Sequence, residues 1–234
     1  MARHKPTAQG GYQRGEETRA RLVDAALQVF GEKGFDAAST RDIASAAGFN
    51  APALQYYFEN KEGVYLACVE HILDRLWQHL GAAYQAAQAV VANLEASDAQ
   101  RVDAVLGILA KVLELLQDSS GVSAWREFMS RQQAGQCPTS AHGLMDTRFK
   151  QHIGGIIRGL VAQLTGYAVD DERTILHAFS LFTQVVALRV QRQSLLDSLG
   201  WKGVDAARLE KVKAVALMQV RCALEGMVGC AHRP

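Results

Sequence analysis

The stretch 39-STRDIASAAGFNAPALQYYFENK-61 predicts two short helices around a glycine turn. Ser39 and Asp42 have the spacing of a capping box, which begins a helix by satisfying its first backbone N–H groups. Gly48 favours the left-handed conformation that ends a helix. Between these signals lies one apolar face, formed by Ile43, Ala44 and Ala47. We therefore expect a first helix from Thr40 to about Gly48.

A second helix follows at once. Asn50 is a good N-cap, and Pro52 lies in the first turn, where its missing N–H costs nothing. Leu54 and Phe58 have the i, i+4 spacing of a buried pair. The two helices form a helix-turn-helix, whose second helix would present to a DNA major groove the outward-facing residues Ala51, Pro52, Gln55 and Tyr56.

Composition favours an all-α protein long enough to bury a substantial core. The chain has 234 residues, of which 49% are hydrophobic, and only four prolines. Its net charge is +1, and the first 62 residues carry eight basic and eight acidic side chains. Any DNA binding must therefore arise from the local placement of charge.

The sequence suggests three regions. Residues 1–15 are glycine-rich and polar and should form a flexible arm; residues 16–62 should form the helix-turn-helix DNA-binding domain; residues 63–234 should form a helical ligand-binding and dimerisation domain. The first helix runs from Glu16 to about Lys33 and is ended by Gly34, after which Phe35 packs back on it. A long helix from about Lys61 joins the domains.

The C-terminal region reads as a series of helices. The first either breaks near Gly81 or continues through the segment from Ala82 to Ala96. Ser97 is an N-cap signal for the next helix. Further helices are predicted over residues 97–117, 123–132, 140–165, 170–194 and 205–227, with a loop over 195–204.

Two of these helices, 170–194 and 205–227, are apolar on more than one side. A helix with two apolar faces must be buried on both, and the second face needs a partner. Two such helices from each of two chains would form a four-helix interface. The alternative is that both lie at the centre of a monomeric bundle. The predicted homodimer interface contains Phe182, Val186, Leu217, Val220 and Leu224.

The N-terminal residues resemble the TetR family of transcriptional regulators. The matching pattern is Thr18-Arg19, Leu22-Val23, Ala25-Ala26, Val29-Phe30, Gly34-Phe35, Thr40, Ile43-Ala44, Ala47-Gly48-Phe49, Leu54, Tyr57-Phe58 and Lys61-Glu62. The resemblance implies an all-helical homodimer whose N-terminal domain binds double-stranded operator DNA. It also implies a C-terminal domain that dimerises and binds a small-molecule effector, usually to release the operator.

The resemblance also implies roles for individual residues. Thr40, Tyr57 and Lys61 would contact phosphates, and Asn50, at the start of the recognition helix, also belongs to the predicted DNA-binding residues. The residues nearest base edges would be Arg41, Ala51, Pro52, Gln55 and Tyr56. Arginine can pair with guanine and glutamine with adenine, while alanine or proline can meet a thymine methyl group. Many relatives have Tyr where Gln55 stands and Ser where Asn50 stands, so the operator sequence does not transfer.

A small-molecule site is expected in the C-terminal region, where large apolar side chains recur with a few polar groups. The candidate lining is Trp125, Phe128, Met129, Met145, Phe149, His152, Phe179 and Thr183. Gly154 and Gly155 support a bend or a close backbone approach in the same helix. The alternative is that these aromatic residues are core.

Other functional classes have weaker support. No GxSxG, HExxH, P-loop or GxGxxG motif is present, and the seven histidines are scattered. The four cysteines form no CxxC pair, so we expect free thiols, no metal and no cofactor. No signal peptide or membrane segment is recognised, so a cytoplasmic protein is expected. The interpretation is a ligand-responsive regulator, most simply a repressor; the alternatives are a helical binding or scaffold protein without operator specificity and an enzyme.

Overall fold

The computed structural model describes residues 8–115, 117, 122–145 and 151–231. These residues form α-helices and no strand, which confirms the all-α prediction. The helices are α1 (Ala8–Ala37), α2 (Thr40–Ala47), α3 (Ala51–Tyr57), α4 (Lys61–Ala92), α5 (Asp98–Glu114), α6 (Val122–Gln133), α7 (Thr139–Met145), α8 (Gln151–Thr165), α9 (Glu172–Val190), α10 (Arg192–Leu199) and α11 (Ala206–Ala231).

The described chain divides into two compact units. The first contains α1 to α3, the part of α4 up to Asp74, α6 and α7. The second contains the rest of α4, α5 and α8 to α11. The domain boundaries drawn from the sequence, at residues 15 and 62, stay a prediction.

The first unit has a core built from the predicted apolar stripes. Leu22, Ala26, Val29 and Phe30 of α1 are buried, as are Ile43, Ala44 and Ala47 of α2. Aromatic rings close this core, since Phe30 contacts Phe35 at 6.0 Å and Tyr65 at 5.1 Å between ring centroids. Phe35 thus packs back on α1, as the sequence predicts.

Helix α1 begins earlier than the helix predicted over 16–33, whereas the predicted helix end at Gly34 is confirmed by a break in the helix there. It begins at Ala8, because each residue added to an existing helix gains a backbone hydrogen bond, which offsets the cost of about 1 kcal/mol for each glycine. It ends at Ala37, with a break at Gly34, whose φ of 79° and ψ of 169° are not helical. The predicted mobility of residues 1–15 stays a prediction.

The second unit is a bundle in which α5 and α8 form the centre. Helix α5 packs against α8, α9 and α11, and α8 also packs against α9 and α11. The N-cap signal at Ser97 is confirmed, because its hydroxyl accepts a hydrogen bond from the N–H of Gln100 at 3.3 Å. Helix α4 continues through Gly81 to Ala92, which settles the alternative left open by the sequence.

Of the predicted C-terminal helices, one differs from the structure and another is described only in part. The predicted helix over 140–165 corresponds to α7 and α8, and residues 146–150 between them lie outside the described chain. The helix predicted over 170–194 is two helices, α9 and α10, which meet at Gln191. The loop predicted over 195–204 is therefore partly helical. The break at Gln191 does not end the apolar face of the predicted helix, because Leu196 of α10 is buried like the inner residues of α9.

Candidate DNA-binding site

The helix-turn-helix begins with a capping box at α2. The N–H of Asp42 donates to Ser39 Oγ at 3.1 Å, and the N–H of Ser39 donates to Asp42 Oδ2 at 3.0 Å. Gly48 ends the helix with a φ of 76°, and its N–H donates to the carbonyl of Ser45 at 3.1 Å. Both helix-end predictions are confirmed, so the orientation of α2 is determined by local backbone bonds.

Helix α3 is held at its first turn and along its inner face. Asn50 Oδ1 accepts a hydrogen bond from the N–H of Ala53 at 3.0 Å, which confirms its predicted capping role. Leu54 is completely buried and Phe58 nearly so. Because these two side chains point inward, the opposite side of α3 must face away from the core.

The outward face carries most of the predicted base-reading residues. Arg41, Pro52, Gln55 and Tyr56 are exposed. The side chain of Tyr56 is 84% exposed and its ring lies edge-on to Tyr57 at 5.1 Å, so it does not pack inside the unit. The half-buried members of the predicted set are Thr40, Ala51 and Tyr57. These residues of α2 and α3 are thus fully or partly accessible to solvent, and we call them together the recognition face.

Lys61 lies beside this face but makes bonds within its own chain. Its ammonium group donates to the carbonyl oxygens of Phe35 at 2.8 Å, Asp36 at 3.3 Å and Ala38 at 3.0 Å. The same nitrogen lies 4.5 Å from the centre of the Phe35 ring. These contacts anchor the connection from α1 to α2. Nothing in the sequence spacing indicates them, because the partners lie 23 to 26 residues away.

Several other cations near the helix-turn-helix also have partners within the unit. Arg21 donates to the carbonyl of Ala47 at 3.3 Å and lies 5.0 Å from the centre of the Phe49 ring. Lys33 pairs with Asp42 at 2.9 Å. The hydrogen bond from Lys33 and those from Ser39 lower the pKa of the Asp42 carboxyl to about 2. Arg41 is the basic residue of α2 and α3, and it is exposed.

The predicted dimer residues divide by burial. Val220 and Leu224 are completely buried by their own chain, so they offer no surface to a second copy. Phe182, Val186 and Leu217 are half-buried. Exposed apolar side chains lie next to them on α9 and α11, and periodicity alone does not separate the two sets. The most exposed on these two helices are Phe179 at 67%, Leu176 at 63%, Val190 at 57%, and Val215 and Met218 at 54%.

The predicted effector residues are divided between the two units. In the first unit, Phe128 and Met129 are buried, and the Phe128 ring stacks on Tyr65 at 4.6 Å. Trp125 is half-buried in the same unit. Met145 is the last residue of α7, and Phe149 lies outside the described residues. The ring contacts of Phe128 favour the alternative that it is core.

The other three predicted effector residues lie in the second unit. Phe179 and Thr183 are exposed on α9. His152, near the start of α8, lies 5.8 Å from Trp77 and 6.5 Å from Tyr84 between ring centroids. Trp77 and Tyr84 contact each other edge-on at 5.2 Å. Sequence reasoning missed both α4 rings, although their spacing of two helical turns could have indicated a shared face.

Within the described residues, no group of three or more His, Cys, Asp or Glu side chains lies close enough to hold a metal ion. Burial raises the pKa of the Cys68 thiol, whereas Cys222 is exposed on α11. In the part of the chain that the structure describes, no helix is long and apolar enough to cross a membrane.

Comparison with known proteins identifies the family. Residues 22–68 match the family model of bacterial regulatory proteins of the tetR family. Residues 102–227, more than half of the chain, match the C-terminal domain of the HTH-type transcriptional dual regulator CecR. The CecR regulator of Shigella flexneri is 30% identical over 214 residues, covering 92% of this chain and 94% of its own.

Solved structures give the same fold. A transcriptional regulator from Pseudomonas aeruginosa PAO1 has a TM-score of 0.64 at 18% identity, covering 93% of each chain. The fatty acid degradation regulator FadR from Bacillus halodurans has a TM-score of 0.59 at 17% identity, covering 93% of this chain and 97% of its own. The chain therefore belongs to the TetR family of DNA-binding transcriptional regulators, and it is a regulator rather than an enzyme.

Proposed function

We propose that the protein is a cytoplasmic homodimeric repressor that a small molecule releases from its operator. The observation that carries the DNA-binding part is the recognition face, on which a capped α3 presents Gln55 and Tyr56 to solvent. In this proposal Gln55 and Arg41 contact base edges, Ala51, Pro52 and Tyr56 lie close to them, and Thr40 and Tyr57 contact phosphates.

The proposed dimer interface uses the exposed sides of α9 and α11. Leu176 and Phe179 on α9 and Val215 and Met218 on α11 are exposed apolar side chains. A hydrogen bond of 3.1 Å between Gln184 and Gln219 joins the two helices on this side. Large apolar side chains left in water favour association. A second copy of the chain would cover them, together with the half-buried Phe182, Val186 and Leu217.

An apolar groove adjoins this surface. It has a volume of about 480 Å³ and is lined by Leu106, Gly107, Ala110, Leu217, Met218 and Arg221. Because Leu217 and Met218 belong to the proposed interface, we assign the groove to the dimer surface rather than to the effector.

The proposed effector site is centred on His152, Trp77 and Tyr84. Three rings within 6.5 Å of each other provide large flat apolar surfaces, and the imidazole supplies a polar group. Gly154 and Gly155, which are half-buried, follow on the same helix with open space at their Cβ positions. In this proposal the ligand changes the separation of the two recognition helices, which must match one DNA turn of about 34 Å.

Selection from random duplex DNA tests the DNA-binding part. The wild-type chain should enrich a two-fold symmetric sequence, and Gln55→Ala should relax the preference at one base pair of each half-site, at a cost of about 1 to 3 kcal/mol. Ser45→Ala is the control variant, because Ser45 is exposed on α2 but does not belong to the predicted base-reading residues. It should keep the wild-type preference profile. An unchanged preference profile would remove Gln55 from the reading set. Because the Shigella flexneri relative is named a dual regulator, reporter assays should score raised as well as lowered transcription.

A further inference from the structure

Helix α6 packs directly against the last part of α1. The closest approach is at Gly31, where an added Cβ would lie 3.1 Å from the carbonyl oxygen of Ala124 and 3.3 Å from Glu127 Cβ. Separations this short are tighter than ordinary Cβ contacts, so a side chain at Gly31 would require its neighbours on α6 to shift by a few tenths of an ångström. Gly31 therefore permits the close packing of α6 against the end of α1.

Arg131 fastens this contact. Its Nε donates to the carbonyl of Gly31 at 2.6 Å, and its Nη2 donates to the carbonyl of Glu32 at 2.8 Å. The third nitrogen, Nη1, donates to Gln136 Oε1 at 3.2 Å, which holds the guanidinium in place. Charge-assisted hydrogen bonds from a planar group fix direction as well as distance.

The two carbonyls that Arg131 binds lie close to the helix-turn-helix along the chain. Gly31 and Glu32 lie just before the break at Gly34, where the chain changes direction towards α2. Beyond the break, Lys61 binds the carbonyls of Phe35, Asp36 and Ala38. The direction in which α1 leads into the helix-turn-helix is thus held by one cation before the break and another after it.

We propose that Arg131 is a positioning residue for operator binding, which orients the recognition face by holding the end of α1 before the Gly34 break. The proposal rests on the DNA-binding function above and adds a residue from outside the predicted 16–62 domain. Arg131 acts through α1 and does not itself contact DNA. Its loss should therefore affect the fit to a specific operator and leave the electrostatic attraction to any duplex nearly unchanged.

The first test compares Arg131→Lys and Arg131→Gln with wild type on two duplexes. One is the sequence that the wild-type chain selects from random DNA, and the other is an unrelated duplex of equal length. Both variants should bind the selected duplex about tenfold more weakly, the effect of losing one charge-assisted hydrogen bond. Binding to the unrelated duplex should stay within about twofold, with the same salt dependence.

Arg131→Lys separates position from charge, because it keeps the positive charge and loses the planar fork. Gly31→Ala perturbs the same contact from α1, and it should weaken binding to the selected duplex in the same way. Gly81→Ala is its matched control, since it changes a helical glycine with no atom within 4 Å of the added Cβ. That variant should bind like wild type. Melting temperatures establish that every variant is folded at the assay temperature.

Two results would overturn the proposal. If Arg131→Lys binds like wild type while Arg131→Gln weakens both duplexes equally, Arg131 contributes only charge. If neither Arg131 variant nor Gly31→Ala changes the preference for the selected duplex, the contact does not orient the recognition face. A wild-type chain that selects no sequence would instead contradict the proposed sequence-specific DNA binding itself, on which the proposed roles of both Gln55 and Arg131 depend.

Discussion

Lys61, which lies outside the recognition face, has two competing possible partners, its own backbone and a DNA phosphate. Lys61 is at a family position that implies phosphate contact, yet its ammonium group is bound by three carbonyls of its own chain. A group held this way is less available to a phosphate, because binding DNA would require it to give up bonds that stabilise the α1–α2 connection. A lysine that binds backbone carbonyls should stabilise the fold, whereas a lysine that only contacts phosphate should not.

Replacing Lys61 with Met should lower the free energy of unfolding by about 2 kcal/mol, because several charge-assisted bonds are lost. The salt dependence of operator binding should change little if the ammonium group contacts no phosphate. Chemical denaturation and binding at several salt concentrations measure the two quantities. An unchanged stability with a salt slope reduced by about one ion would instead restore the phosphate contact.

At the scale of the element, short helices depend on their ends. Helix α2 has only eight residues, and its capping box and glycine end were readable because both are local patterns. Helix α10 also has eight residues, but it lacks a side-chain cap at its start. Without that signal the sequence suggested a loop. Local hydrogen bonding therefore decides which short helices can be predicted.

The capping box makes the stability of α2 dependent on pH. In the folded chain the pKa of Asp42 is about 2, below its ordinary value of 3.8. A carboxyl with a lowered pKa stabilises the fold above the unfolded value and loses this contribution as the pH falls through the folded one. Denaturation midpoints should therefore differ between wild type and Asp42→Asn at pH 7, and the difference should shrink from about pH 4 to pH 2.

Asp36→Asn is the control for that measurement, because it removes one exposed carboxylate outside the capping box. If the difference between wild type and Asp42→Asn is the same at every pH, the ionised carboxyl does not stabilise the start of α2.

At the scale of the whole molecule, the proposed association of two chains depends on which apolar side chains of α9 and α11 remain exposed. The apolar double faces of α9 and α11 indicated a partner, but part of that surface is covered inside the chain by α5 and α8. Val220 is covered in this way, while Met218, two residues before it, is exposed. The exposed Met218 can therefore be used to test the proposed interface, and the buried Val220 serves as a comparison on the same helix.

Met218→Glu should leave a folded monomer, because it places a charge on the proposed interface without disturbing the core. Val220→Glu should instead unfold the chain, since an unpaired charge would be buried among apolar side chains. Sedimentation and circular dichroism at micromolar concentration separate the two outcomes. A wild-type monomer, or a dimeric Met218→Glu, would contradict the proposed interface.

The sequence by itself determined the elements that depend on near neighbours. The all-α class, the caps of α2, α3 and α5, and the buried pair of Leu54 and Phe58 follow from patterns within a few residues. The resemblance over residues 18–69 added the family, which the comparisons confirm. These features are predictable because helix capping and amphipathic spacing act over one or two turns of chain.

Only the tertiary structure decided which side chains are buried or hydrogen-bonded within their own chain. The bond from Arg131 to Gly31 spans 100 residues, and those from Lys61 span more than 20. Spacing along the chain cannot reveal such pairs, because packing brings the partners together. The same holds for Phe128, whose ring belongs to the core, and for Val220, which α11 turns inward. A helical pattern shows which residues share a face, and the fold decides what covers that face.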